Sequence, residues 1–251
     1  MAKYLTLIIL LIANNNLLAN DYKNKIIEIT KERVEEFHKQ CLEKKIEIAC
    51  FSLGKFYELT QEDEKASKFF RSSCALQNPY ACLLGGYSEE RLGRKTLAND
   101  IYLLGCSMNS GGESCSAIGN TYRENNKNTE ALDYYKKGCE KKYGQACFFA
   151  YEVSYNEDSD KKNNLLKKGC ILKHLGSCST LAWIAEQNGD FSTARTAYKE
   201  ACLMEDAEAC ESFKRVNNGG IVENFIKKTK PNLLKISEII KKTIESLMPL
   251  E

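Results

Sequence analysis

Only three prolines and two histidines occur in this chain of 251 residues, and it has no Cys-x-x-Cys. So little proline, with many Glu, Lys, Leu and Ala residues, favours helix. The missing Cys-x-x-Cys argues against thiol–disulfide exchange. Zinc sites draw paired ligands from spacings of about two to four, and neither His38 nor His174 stands beside a tight cysteine pair, so no metal site is expected. A charge of one sign is also lacking. Thirty-six basic residues face 34 acidic ones, a net charge of +2, which leaves no domain-scale basic excess for nucleic acid. No cofactor is implied.

Long apolar runs are absent too. The stretch 5–13 is much too short to span a bilayer. Behind Lys3, and ahead of a polar-to-small stretch ending at Ala19, it reads as a secretory leader cleaved after residue 19. No cysteine stands at that point, so a lipid anchor is not expected. The mature chain would begin at residue 20.

What the chain does have is cysteine. Twelve fall as six pairs: Cys41/Cys50, Cys74/Cys82, Cys106/Cys115, Cys139/Cys147, Cys170/Cys178 and Cys202/Cys210. The pairs recur every 31 to 33 residues, and the spacing within each is eight or nine. An even count at fixed spacing behind a leader is a disulfide framework, and a period in the low thirties marks stacked helical hairpins.

The first cysteine of each pair is a ruler for one helix. Four residues before it stand Phe37, Phe70, Tyr102, Tyr135, Leu166 and Tyr198, and eight before it Ala66, Ala98, Ala131 and Ala194. Intervals of four share one helical face, so helix A carries a large knob and a small notch. The second cysteine is followed at three by Leu53, Gly85, Ile118, Ala150, Leu181 and Phe213. At four come Gly54, Gly86, Gly119 and Ala182, with Tyr151 and Lys214 as exceptions. Glycine inside helix B costs up to about 1 kcal/mol and demands a packing reason. Turn signals at Asn125-Asn126, at 156–159 and at Asn188-Gly189 separate one helix B from the next helix A. The seven or eight residues between paired cysteines allow a tight antiparallel turn, and repeat symmetry favours one bridge inside each hairpin.

The ends differ from the middle. Residues 22–40 read as a long first helix. After Gly219-Gly220, Pro231 opens an amphipathic stretch carrying Leu233, Ile236, Ile240, Ile244 and Leu247, with Lys235, Lys241 and Lys242 around its polar side. This reads as a cap on the last repeat rather than a membrane-binding helix. Lysine doublets such as Lys136-Lys137 and Lys167-Lys168 read as solvated faces.

The string Asp133-Tyr134-Tyr135-Lys136-Lys137-Gly138-Cys139, the pair Ala146-Cys147 and the Leu53-Gly54 and Ile118-Gly119 steps resemble Sel1-like repeats. The cysteine register resembles the Helicobacter cysteine-rich protein family over 41–210. That resemblance implies an all-α fold: a right-handed α/α solenoid of six disulfide-bridged Sel1-like, TPR-like hairpins with a C-terminal capping helix. It implies a leader over 1–19, a six-repeat solenoid over 20–218 and a capping segment over 219–251. It also implies a secreted or periplasmic scaffold that holds a protein or peptide ligand in its groove. Some members carry a beta-lactamase label, so a beta-lactam or cell-wall fragment is the alternative ligand and weak hydrolysis the alternative function. No catalytic residue transfers. Ser52-Leu53-Gly54-Lys55 and Ser159-Asp160-Lys161-Lys162 match Ser-x-x-Lys, but Ser-Asp-Asn and Lys-Thr-Gly are absent, and so short a motif arises by chance.

Overall fold

The structure is a computed structural model that describes residues 32–217. The expected leader, the start of the expected long first helix and the expected capping segment fall in residues 1–31 and 218–251, outside the described residues. Twelve helices follow one another: α1 (32–42), α2 (Glu47–Leu59), α3 (Asp63–Ala75), α4 (Pro79–Arg91), α5 (Lys95–Ser107), α6 (Gly112–Glu124), α7 (Asn128–Glu140), α8 (Gly144–Val153), α9 (Ser159–Ile171), α10 (Leu175–Gln187), α11 (Phe191–Cys202) and α12 (207–217). Among the described residues there is no strand. No described helix is long and apolar enough to cross a membrane.

The chain divides between Tyr155 and Asn156 into two compact units. The first carries the hairpins α1/α2, α3/α4, α5/α6 and α7/α8, and the second carries α9/α10 and α11/α12. In the first unit consecutive helices pack together. In addition α3 touches α5, α4 touches α6 and α6 touches α8. Odd-numbered helices therefore form one layer and even-numbered helices another.

Helix ends are set by a repeated local device. Residues Gln77, Lys142, Lys173 and Glu205 adopt positive φ of 61–71°. In each case the next amide donates back to a carbonyl five residues earlier, as Tyr143 does to Gly138 at 3.1 Å. The amide of Lys142 donates to the carbonyl of Cys139 at 3.1 Å. This is a Schellman ending, which satisfies carbonyls the last helical turn leaves open. Gln61, Gly93, Asn126 and Gly189 end even-numbered helices in the same way. The first cysteine of a hairpin thus sits in the last turn of one helix, and the second sits one turn into the next.

At that level the helices come close enough to bridge. The disulfides are Cys41–Cys50, Cys74–Cys82, Cys106–Cys115, Cys139–Cys147, Cys170–Cys178 and Cys202–Cys210, with Cα–Cα distances of 4.5–4.8 Å. Each closes inside its own hairpin, the pairing that repeat symmetry favours. Cys50, Cys82, Cys115, Cys147 and Cys178 are fully buried, whereas Cys202 and Cys210 of the last hairpin are only partly so. The residue before each second cysteine is small: Ala49, Ala81, Ser114, Ala146, Ser177 and Ala209. A Cβ on Gly138 would stand 2.7 Å from that of Ala146, and one on Gly105 would stand 2.4 Å from Ser114 Oγ. The residue ahead of the first cysteine is small in five of the six hairpins (Ser73, Gly105, Gly138, Gly169 and Ala201), and Gln40 of the first hairpin is the exception.

Between hairpins the fit is knob into notch. Phe70, Tyr102 and Tyr135 are fully buried. Each lies against the helix-interior glycine sixteen residues earlier: Gly54, Gly86 and Gly119. A Cβ at those glycines would stand 2.4, 2.0 and 2.6 Å from the facing ring. The Tyr135 hydroxyl donates to Asn120 Oδ1 at 2.7 Å. In the second unit Ala182 takes the glycine's place and Tyr198 that of the knob, its hydroxyl donating to Glu186 Oε2 at 2.9 Å. Tyr151 holds the notch position in α8, which has 10 residues where its equivalents α2, α4, α6 and α10 have 13.

Gly119→Ala should cost about 1–3 kcal/mol by overpacking. Combined with Tyr135→Leu, the two changes should couple by about 1 kcal/mol or more in a denaturant-based double-mutant cycle; strict additivity would show that the ring does not fill the notch. Replacing Cys170 and Cys178 together by Ala should lower unfolding free energy by about 2–3 kcal/mol, the chain-entropy value for a loop of this size. An unchanged denaturation midpoint would remove the bridge's stabilising role.

Candidate functional site

The position three residues before the first cysteine projects from α1, α3, α5 and α7 as His38, Arg71, Leu103 and Lys136. What surrounds it changes from one hairpin to the next, because two other positions vary with it. One is seven residues after the second cysteine, on the even-numbered helix. The other is five before the next first cysteine.

At the first junction those positions hold Tyr57 and Phe69, whose rings stack at 5.5 Å with an interplanar angle of 11°. His38 closes over them. Its ring stands edge-on to Phe69 at 4.9 Å, and its Nε2 is 2.9 Å from the Tyr57 hydroxyl. Burial, followed by Lys68 and Lys65, holds the His38 pKa below the ordinary histidine value. At the second junction the aromatic pair is replaced by Glu89 and Ile101. Glu89 is 1% exposed. It accepts from Ser67 Oγ and is approached by Arg71 at 3.5 Å and Arg94 at 3.4 Å. A carboxylate so far from water needs such partners.

The third junction is open. Tyr122 and Tyr134 stack at 5.4 Å and 13°, as Tyr57 and Phe69 do. Here the covering residue is Leu103, shorter than histidine or arginine and itself 45% exposed. A cavity of about 490 Å³ remains, lined by Leu103, Ile118 and the two tyrosines on its apolar side and by Asn99, Thr121, Asn125 and Lys127 on its polar side. Its geometry is locally determined. Asn126 turns at φ 59°, and Lys127 donates its amide to the Tyr122 carbonyl at 3.0 Å, which returns Lys127 over the end of α6. The Asn125 side chain donates to the Thr121 carbonyl at 2.7 Å. Lys137 Nζ lies 4.6 Å from the Tyr134 ring centre, so this ring is held between an aromatic and a cation. Burial, reinforced by Tyr122, pushes the Tyr134 hydroxyl pKa up.

None of the twelve cysteines lines this cavity. Cys50, Cys82, Cys115, Cys147, Cys178 and Cys210 open the even-numbered helices and are each joined to the odd-numbered helix before them, through Cys41, Cys74, Cys106, Cys139, Cys170 and Cys202. Every cysteine is oxidised, so none offers a thiolate as nucleophile or metal ligand. Their part in the site is indirect: they fix the two helices of each hairpin from which the lining residues project.

The Ser-x-x-Lys matches take no part in the site either. Ser52 Oγ donates to the Ile48 carbonyl at 2.7 Å, and Lys55 pairs with Glu58. Ser159 is the first residue of α9 rather than part of the turn expected at 156–159, and Asp158 before it accepts the Lys161 amide at 2.8 Å. Lys55 is held by a carboxylate instead of being placed as a base for Ser52. Among the described residues no group of three or more His, Cys, Asp or Glu side chains is arranged to hold a metal ion. The odd-numbered helix α5 gives the cavity Asn99 and Leu103. The cavity adds Thr121 and Asn125 from α6. The signal that could have found them is the recurrence of an aromatic at Tyr57 and Tyr122, which marks where the even-numbered helix faces the next odd-numbered one.

A tetratricopeptide-repeat profile matches residues 114–141, the segment of α6 and α7 that carries most of the cavity. Comparison with curated proteins gives no match. Among solved structures, the chain is similar to c5321, a protective antigen of uropathogenic Escherichia coli with an SLR fold, at TM-score 0.57 and 12% identity, over 74% of this chain and 44% of that one. This chain thus spans under half of that antigen. A Sel1 repeat protein from Oxalobacter formigenes is similar at TM-score 0.54 and 13% identity, over 74% of this chain and 97% of that one. Yeast Tom70 is similar at TM-score 0.52 and 15% identity, over 92% and 48%. The fold is a Sel1/TPR-like repeat scaffold. At these identities the likeness speaks for the fold alone.

Since the folded chain favours neutral His38, the stability it contributes is complete above the ordinary histidine range and is lost as pH falls below about 6.5. Unfolding free energy should therefore fall more between pH 7.5 and 5.5 for the native chain than for His38→Phe. Equal falls in urea titrations would remove His38 from the pH dependence.

Proposed function

We propose that this chain is an extracytoplasmic repeat scaffold of the Helicobacter cysteine-rich kind, which holds an extended protein or peptide segment against the odd-numbered helices of the first unit. The open third junction carries the reading. Its cavity of about 490 Å³ pairs an apolar, aromatic wall with amide, hydroxyl and ammonium groups. An apolar side chain of a bound segment can be buried against Leu103, Ile118 and the stacked tyrosines, while Asn99, Thr121 and Asn125 can meet its peptide groups. Stacked hairpins continue the face on either side of this open junction, which suits a ligand longer than one residue.

Six disulfides support an oxidising compartment. Export by a leader at 1–19, a repeat region over 20–218 and a capping segment over 219–251 complete the proposed organisation. A beta-lactam or cell-wall fragment would have to use the same cavity, and no serine–lysine pair stands there to hydrolyse it.

The test is a fluorescence-polarisation screen of the oxidised full chain against extended peptides, with a penicillin as competitor. Leu103→Lys and Tyr134→Ala should each weaken the peptides found by about tenfold or more, as expected for loss of a buried anchor. Leu103 is half exposed, so its variant should keep the native thermal midpoint. Peptide affinities unchanged in both variants would overturn the groove reading; displacement by penicillin alone, without peptide binding, would replace the peptide with a beta-lactam.

A further inference from the structure

The opposite layer of the first unit carries a second constellation. On α4, Tyr80 and Tyr87 stand seven residues apart on one face, 47% and 40% exposed. The adjacent helix α6 opens with Gly112 and Glu113. Tyr143, the residue before α8, lies across that opening: a Cβ on Gly112 would stand 2.8 Å from Tyr143 Cβ. Tyr143 thus lies at the start of α6, where Glu113 is the acidic residue, and Tyr80 and Tyr87 lie on α4, the helix packed beside α6 in the same layer.

The rings are held from behind. Tyr87 stands edge-on to the buried Tyr102 at 5.8 Å, and Tyr80 is tilted against Phe51 at 5.9 Å. The Tyr143 hydroxyl donates to Gln145 Oε1 at 2.7 Å. Burial is the main cause of the raised pKa of both Tyr87 and Tyr143; Glu90 and then Glu113 raise Tyr87 further, and Glu113 raises Tyr143. The Glu113 carboxylate is thus felt by two rings. No lysine or arginine enters either shift. Glu113 makes no ion pair among the described residues, unlike Glu64, Glu89, Glu152 and Glu186, each of which has an arginine partner.

A partly exposed carboxylate with tyrosines on the helices beside it and no ion pair among the described residues is complementary to one kind of group. Aromatic faces attract ammonium and guanidinium through the ring quadrupole, and the carboxylate adds a charge-assisted hydrogen bond. We infer that Glu113, Tyr80, Tyr87 and Tyr143 form a docking site for a lysine or arginine side chain presented by a protein partner. This site lies on the even-numbered helices, so a partner could engage it while a segment occupies the other layer. It does not rest on the peptide-groove reading.

The experiment is a titration of the oxidised full chain with an end-blocked (Gly-Lys)5 peptide, followed by the NMR signals of the tyrosine rings, with (Gly-Ser)5 as the uncharged comparison. The lysine peptide should bind saturably and shift the Tyr80, Tyr87 and Tyr143 rings. Glu113→Gln and Tyr87→Leu should each weaken it about fivefold, while Tyr87→Phe, which keeps the ring, should stay within about twofold. Glu152→Gln, an acidic change elsewhere on the same layer, and Leu103→Lys in the groove should leave both the affinity and these shifts unchanged. The inference fails if Glu113→Gln binds like the native chain, if Glu152→Gln weakens binding equally, or if (Gly-Ser)5 gives the same shifts. Thermal midpoints of the variants, expected within a few degrees of native, separate lost binding from lost fold.

Discussion

The close approach of two helices at each cysteine pair is the constraint on which the rest of the structure depends. A disulfide needs its alpha-carbons within a narrow range, and from Cys41–Cys50 to Cys202–Cys210 they lie at 4.5–4.8 Å. At that distance the residue before each second cysteine is small, and in all but the first hairpin so is the residue before the first cysteine, as Gly138 against Ala146 shows. Five of the six intervening turns carry a left-handed residue, and the chain places Lys45, Gln77, Lys142, Lys173 and Glu205 there instead of glycine, while the Cys106–Cys115 turn has none. Side chains resist that conformation by roughly 1–2 kcal/mol. The covalent closure and the Schellman hydrogen bonds over-determine these turns, so the conformation persists.

Once the hairpins are closed, the glycine notches set how one meets the next within a unit. Phe70, Tyr102 and Tyr135 occupy equivalent places, yet their hydroxyl chemistry differs. The Tyr135 hydroxyl has Asn120. Phe70 has no hydroxyl to satisfy. The ring is therefore what the position requires, and the oxygen is a local addition. The same separation runs through the groove layer. Backbone register places a side chain from each odd-numbered helix over each junction, but its identity decides whether the space is filled by His38, bridged by Arg71 and Glu89 or left open by Leu103.

Several features were plain in the linear chain. The cysteine ruler located every hairpin, the knob residues and the notch glycines, since helical geometry converts spacing directly into face. It also named the partner of each second cysteine, so that Cys50, Cys82, Cys115 and Cys210 were legible as bridge ends before any contact was known. Asn126 and Gly189 were legible as turns. Other features were not. Lys142, Lys173 and Glu205 carry no turn signature; their positive φ goes with the Schellman hydrogen bonds that end the helix. Glu89 looked like one more surface acid on a helix; its burial depends on Ser67 and Arg71 of α3 and on Arg94, which lie 22, 18 and 5 residues away and meet it only when the helices pack. The cavity draws on residues from 99 to 134 for the same reason.

The amino-acid sequence by itself determined an all-helical repeat, the unit length and the hairpin that each cysteine pair belongs to. These follow from short-range periodicity, which any α-helix turns into a face. Only the tertiary structure decided which junction is closed by an imidazole, which by a buried carboxylate and which stays open, and it alone placed Tyr80, Tyr87 and Tyr143 beside the helix that carries Glu113. Those outcomes depend on side-chain volumes and charges from two or three hairpins filling one shared space, and that sum is fixed only when the helices are in contact.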